Sequence, residues 1–161
     1  MARMNKAAKQ PLVLRGARAR RRERIVLVAS AFNKPITDAL VRGARQALRR
    51  CGFSANHVPC VWVPGAFELP AVAAALAASR PRPDAIVAVG CVIKGETPQY
   101  AALGHAVMQG LAQVSAQERM PVGCGLVIAD SMRQARARAG GGVGNRGEEA
   151  ALAAVVMVEV M

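Results

Sequence analysis

The stretch Ala85-Ile86-Val87-Ala88-Val89-Gly90-Cys91-Val92-Ile93, running into Lys94-Gly95-Glu96-Thr97-Pro98, decides the fold. The first nine residues carry no charge and no hydroxyl, and they read as a strand apolar on both faces. The next five form a Gly-containing turn, and a long helix follows over 98–118. The same alternation repeats on either side. Upstream, Ile25 to Ala29 is a short apolar run bounded by charge. Pro35 then suits a first helical turn, and Ile36, Leu40, Ala44, Ala47 and Leu48 recur at helical spacing until Cys51-Gly52 stops them. A second strand is predicted over 58–63, punctuated by Pro64-Gly65 and followed by an Ala-rich helix over 67–78. Pro81 and Pro83 mark the turn back into the central stretch. Downstream, the pattern predicts a fourth strand over 121–129 and a helix over 131–139 with Ser131 as N-cap. Gly140-Gly141-Gly142 then breaks the chain before a last helix over 145–158. Apolar strands alternating with helices predict one α/β sandwich, with about four parallel strands covered on both faces.

Composition agrees. The chain has 161 residues, a length that suits one domain, and 53% of them are hydrophobic but only 3% aromatic. Its core must therefore be built from Ala, Val and Leu. Lys and Arg number 22 against 10 Asp and Glu, a net charge of +12. Residues 1–24 hold nine of the basic residues and one acid, so the excess sits on an N-terminal arm preceding a domain over 25–161. No aromatic is interleaved with these arginines, so they read as a solvated tail rather than a nucleic-acid platform. Cys51, Cys60, Cys91 and Cys124 form no C-x-x-C pair and only His57 and His105 could assist them, so neither a metal site nor a disulfide framework is expected. The longest uncharged run, 97–117, contains four Gln, a His and a Ser, too polar to cross a bilayer. No apolar targeting segment is visible near the start, and a cytoplasmic, reducing location is expected.

In open α/β sheets ligands bind beyond the carboxyl ends of the strands. Four segments lie there. After the first strand, Phe32 and Asn33 place a large aromatic where it either stacks on a planar ligand or caps the sheet. After the second, Gly65 allows a tight turn, Ala66 and Phe67 offer free N–H groups, and Glu68 is either a hydroxyl acceptor or an ordinary first-turn acid. After the third, Gly95 permits close backbone approach. Thr97 and a nearby cation, Lys94, suit a phosphate, although the spacing is not that of a P-loop. The fourth holds Arg133, Arg136, Arg138 and Arg146, one of which could complete an anion site.

Five motifs in unbroken order carry a family resemblance. They are A-S-A-F-N at 29–33, V-P-G-A-F-E-L-P at 63–70, V-G-C-V-I-K-G-E-T-P at 89–98, P-V-G-C-G-L-V at 121–127, and R-A-G at 138–140 followed by G-N-R-G-E-E-A-A at 144–151. Together they resemble 6,7-dimethyl-8-ribityllumazine synthase, an enzyme family of riboflavin synthesis, over about residues 12–160. The resemblance implies a flavodoxin-like three-layer sandwich and active sites shared between neighbouring subunits of a pentamer. It implies the condensation of 5-amino-6-(D-ribitylamino)uracil with 3,4-dihydroxy-2-butanone 4-phosphate, without metal or redox cofactor. On that pattern Phe32 and Asn33 lie at the pyrimidine, with Phe32 stacked on it. Ala66, Phe67 and Glu68 hold the ribityl chain, and Val92 and Ile93 face the ring. Lys94, Gly95, Glu96 and Thr97 surround the phosphate, which Arg138 of an adjacent subunit pairs bidentately.

The chain departs from that pattern at several positions. Gln99 stands where the family has a histidine that serves as proton shuttle, and Gln can hydrogen-bond but not titrate. His105, six positions along the same helix, is expected to point elsewhere. Cys124 replaces a Phe lining the pyrimidine pocket, Arg146 replaces a Lys, Ala137 stands where an acid is common, and Gly142 replaces a Lys. Three functions therefore stay open: a lumazine synthase slowed at Gln99, a paralogue kept as a lumazine- or flavin-binding shell, and, behind both, a cage that associates with RNA through its basic arms. The short Gly-rich loop at 140–147 resembles that of members assembling as sixty-subunit shells. Leu12 to Leu14 are expected to pair with a neighbour's sheet edge.

Overall fold

The computed structural model describes residues 23–54 and 57–161. The basic arm up to residue 22, including Leu12 to Leu14, lies outside the described residues. Four strands form one parallel sheet in the order β2-β1-β3-β4: β1 (Ile25–Ser30), β2 (Cys60–Val63), β3 (Ala85–Ile93) and β4 (Val122–Ala129). The helices are α1 (Lys34–Arg50), α2 (Leu69–Ala77), α3 (Gln99–Glu118), α4 (Met132–Ala137) and α5 (Arg146–Val160). This is the flavodoxin-like sandwich, and it bears out the α/β expectation. The order also fixes a switch point: the chain leaves β1 toward β2, then returns past β1 to lay down β3 and β4. Such folds hold ligands outside the carboxyl ends of the two strands at that point, here β1 and β3.

Alternation along β3 explains why the central stretch is apolar throughout. Ala85, Val87, Val89 and Cys91 pack toward α1 and α5, whereas Ile86, Ala88 and Val92 pack toward α2 and α3. Both faces are buried because helices cover both. Phe53 is the one core phenylalanine, so the interior is indeed small and aliphatic.

Helix α1 begins at Asn33, whose left-handed backbone (φ 56°, ψ 41°) is one that Asn tolerates better than most residues. It ends as expected at Cys51-Gly52. Gly52 (φ 98°) donates to Arg49 O at 2.9 Å, and the Phe53 N–H donates to Leu48 O at 3.0 Å. Helices α1 and α5 touch backbone to backbone. A Cβ on Gly147 would lie 2.0 Å from Leu40 O. Asn145 caps α5, accepting from Gly147 N (2.9 Å) and Glu148 N (3.1 Å), while its Nδ2 donates to Ala39 O of α1 at 3.0 Å.

Several boundaries differ from expectation. Strand β2 starts at Cys60, with Val58 buried in the core ahead of it. The expected helix over 67–78 is a 3-10 turn, Ala66–Glu68, leading into α2. Helix α4 stops at Ala137. The glycines beyond are not a simple break: Ala139–Gly141 (β5) and Gly144–Asn145 (β6) pair antiparallel as a small ribbon. Helical periodicity ends there because the backbone bonds go sideways instead. Ser131 does cap α4, its side chain accepting from Gln134 N at 3.3 Å.

Candidate active site

A hollow of about 380 Å³ opens at the carboxyl ends of β1 and β3. Phe32 and Asn33 line it from the β1–α1 connection, Gly65, Ala66 and Phe67 from the turn after β2, and Cys91, Val92 and Ile93 from the end of β3. Gly95, Thr97, Gln99, Tyr100 and Leu103 complete it from the β3–α3 segment. Phe32 is 70% exposed and Phe67 66% exposed, so neither caps the core. Two of the chain's three phenylalanines thus stand in solvent beside one hollow. Exposing them forfeits burial worth roughly 1.5–3 kcal/mol apiece, a loss that a flat ligand or a neighbouring subunit would recover.

The wall under Phe32 is firmly held. Ala31 N donates to Val63 O at 2.7 Å and Phe32 N to Pro64 O at 3.1 Å, coupling the first two connections. Asn33 Nδ2 donates to Cys91 O at 2.9 Å, tying Phe32's neighbour to β3. Glu68 is half-buried, and its Oε2 accepts from Gly65 N at 2.8 Å. That is the first-turn role, since Glu68 satisfies a backbone donor that the turn would leave free. Glu68 is not among the residues lining the hollow.

The opposite wall, 94–99, is exposed. Gly95, Thr97 and Gln99 face the hollow, but Lys94 and Glu96 do not line it. Burial pushes the Cys91 thiol up to about 11, so it stays neutral on the floor. His105 is exposed and lies outside the hollow, as its helical phase implied.

Cys124, Arg138 and Arg146 are not brought to this hollow. Strand β4 is the far edge of the sheet, and Cys124 lines an apolar depression there with Met108, Leu111 and Met157. Arg138 and Arg146 share a second depression of about 220 Å³ with Met108 and Ile128. Arg146 Nη1 donates to Glu149 Oε2 at 2.8 Å, whereas the exposed Arg138 guanidinium has no partner among the described residues. The 6,7-dimethyl-8-ribityllumazine synthase model matches residues 22–161.

The chain belongs to the lumazine synthase family.

Three relatives of that name illustrate the relation. The protein of Gemmatimonas aurantiaca is 45% identical over 85% of this chain and 83% of its own length. That of Xanthomonas campestris pv. campestris is 44% identical over 86% and 89%. That of Stenotrophomonas maltophilia is 44% identical over 86% and 88%. Membership supports a lumazine synthase activity and makes the chain an enzyme of the transferase class. It also implies small-molecule substrates and a homo-oligomer. Among the described residues, no helix is long and apolar enough to cross a membrane, and no group of three or more His, Cys, Asp or Glu could hold a metal.

The sequence patterns of this lumazine synthase fold missed three lining residues, Cys91, Tyr100 and Leu103, and read Gly65 only as the turn that it also makes. Tyr100 and Leu103 lie one and four positions beyond Gln99, so helical spacing could have found Leu103. Cys91 shares the end of β3 with Val92 and Ile93.

Proposed function

We propose that the protein condenses 5-amino-6-(D-ribitylamino)uracil with 3,4-dihydroxy-2-butanone 4-phosphate to 6,7-dimethyl-8-ribityllumazine in the hollow at the β1/β3 switch point. The observation that carries this is the division of the machinery. One chain presents Phe32, Ala66, Phe67, Thr97 and Gln99 around a hollow, and Arg138, without a partner among the described residues, on a separate edge. A neighbour's β4 edge set against the hollow completes it. Head-to-tail contacts of this kind close into rings where the rotation between copies divides a full turn. We place five copies in the ring, and rings in a sixty-subunit shell, in the cytoplasm.

In the filled site Phe32 stacks on the pyrimidine, Asn33 holds that connection to β3, and Val92 and Ile93 face the ring. The N–H groups of Ala66 and Phe67, with the oxygen of Glu68 not used by Gly65, hold the ribityl hydroxyls. Lys94, Gly95, Glu96 and Thr97 surround the phosphate, with Arg138 of the adjacent subunit as its bidentate partner and Arg146 beside it. Cys124 of the same neighbour leaves space over the pyrimidine. The 5-amino group attacks the ketone and water leaves to give an imine. Phosphate leaves by elimination, the ribityl-bearing nitrogen closes the ring, and a second water departs. Positioning two substrates supplies much of the rate, since effective molarity contributes roughly 7–11 kcal/mol in well-oriented systems. Gln99 hydrogen-bonds the reacting groups but moves no proton between them, so turnover is slow.

A second reading, a lumazine- or flavin-binding shell without efficient turnover, is favoured by Gln99 alone. Absorbance-detected lumazine formation from the two substrates separates them. Turnover by the unmodified protein supports the synthase. Tight binding of a lumazine without turnover supports the shell. Light scattering that finds only a five-subunit species would refute the larger assembly.

A further inference from the structure

One hydrogen bond beside the hollow has no part in the reaction as proposed. Tyr100 Oη donates to Asp130 Oδ1 at 2.8 Å. Tyr100 follows Gln99 in the first turn of α3 and lines the hollow. Asp130 directly follows β4, and its backbone N–H donates to Gln134 Oε1 of α4 at 2.7 Å. Helix α4 is capped by Ser131 and leads into Arg138.

The segment before Tyr100 has few other ties. Lys94 N donates to Ala129 O at 2.9 Å and Ala101 N to Pro98 O at 3.1 Å, both backbone bonds. Among the described residues, Lys94, Glu96, Thr97 and Gln99 make no side-chain hydrogen bond. Tyr100 is therefore the first side chain after β3 to hold this segment by a hydrogen bond. Its ring also packs, half-buried, against the core on the α2/α3 face. The same bond anchors the turn from which α4 carries Arg138.

Resting on the reaction proposed above, we propose that Tyr100 is a positioning residue: its bond to Asp130 fixes the 94–99 wall of its own site and, through α4, the Arg138 offered to a neighbouring site. One contact then sets both grips on the phosphate, one in each of two adjacent sites. The half of the site that takes the pyrimidine depends on Asn33 and Cys91 instead.

The test uses the full-length assembled protein with Tyr100→Phe, Asp130→Asn, Asp130→Ala and the double variant Tyr100→Phe/Asp130→Ala. Tyr100→Phe keeps the ring and its packing, so it removes little besides the bond. The expected result is a rise of about 3- to 10-fold in KM for the butanone phosphate, the range for losing one such hydrogen bond. KM for the ribitylaminouracil should move less than about 2-fold. Asp130→Asn, whose amide oxygen still accepts, should rescue most of the loss seen in Asp130→Ala. The double variant should be no worse than the worse single one, since both remove the same bond. Equal rises in both KM values, or additive losses in the double variant, would overturn the proposal. Amide hydrogen exchange over 94–103, without substrate, reads the tether independently of turnover. Faster exchange in Tyr100→Phe, restored toward normal in Asp130→Asn, supports it. Unchanged exchange overturns it. If the unmodified protein makes no lumazine, the reaction reading fails, and the exchange comparison decides the tether alone.

Discussion

The two walls of the hollow are built differently. The Phe32 wall is cross-tied: Ala31 and Phe32 donate to carbonyls after β2, and Asn33 donates to β3. The facing wall, from Lys94 to Gln99, holds its own side chains by none of the described hydrogen bonds. The held wall suits a rigid aromatic ring, which gains from a surface already in place because little has to be ordered on binding. The open wall leaves the side chains of Thr97 and Lys94 unspent among the described residues, the kind of donors an anion takes. On the reaction proposed above, shape falls to the part of the site that the fold cross-ties, and charge to the part whose side chains are left available.

The largest expected effect lies on the open wall. Gln99→His should raise lumazine formation by about 10²–10⁴-fold, the usual worth of a positioned general acid or base. A variant no faster than the parent would mean that proton transfer does not limit the reaction here. On the held wall, Asn33→Ala removes the bond to Cys91 O and puts in a residue that tolerates the left-handed backbone less well than Asn. A loss of about 1–3 kcal/mol in unfolding free energy is expected from denaturant titration. An unchanged midpoint would show that the cross-tie is not what holds Phe32.

The pH dependence is smaller and touches both walls. Burial raises Cys91, and the bond to Asp130, before desolvation, raises Tyr100. Both groups are neutral in the folded state at neutral pH. Each ionises more easily in the unfolded chain, from ordinary values of 9.0 and 10.0. Their contributions are therefore complete below pH 9 and decline as pH rises toward the folded values, about 11 for Cys91. Stability measured from pH 7 to pH 11 should fall only in the upper half of that range, and a decline beginning near pH 7 would contradict the assignment. The smallest effect is expected for Gly95→Ala. A Cβ there meets nothing within 4 Å, so stability should stay within about 0.5 kcal/mol. Weaker binding of the butanone phosphate in that variant would show close backbone approach by the ligand. Gly147→Ala is the contrasting control, because its Cβ would strike the Leu40 carbonyl.

Much of this molecule was legible before folding. The strands were readable because burial on both faces leaves continuous apolar runs, as in β3, and the helices because Ile36, Leu40 and Ala44 recur on one face. Phe32, Ala66, Phe67, Gly95 and Thr97 were findable because strand ends in this topology open on such a hollow, and Val92 and Gln99 through the family motifs. Boundaries shifted where local bonding competes with periodicity. The glycines after α4 form a ribbon, and Glu68 turns back on Gly65. Neither choice leaves a mark in hydrophobic spacing.

What the sequence alone determined was the parallel α/β sandwich, its aliphatic core and the family motifs, because each rests on local pattern and chain order. Only the tertiary structure decided that Cys124, Arg138 and Arg146 stand apart from the hollow of their own chain, and that Tyr100 is tied to Asp130. Those facts depend on which strand becomes the edge of the sheet and on contacts across 30 residues of chain. Linear spacing carries no such distance, because a parallel sheet brings strands together in an order different from their order along the chain.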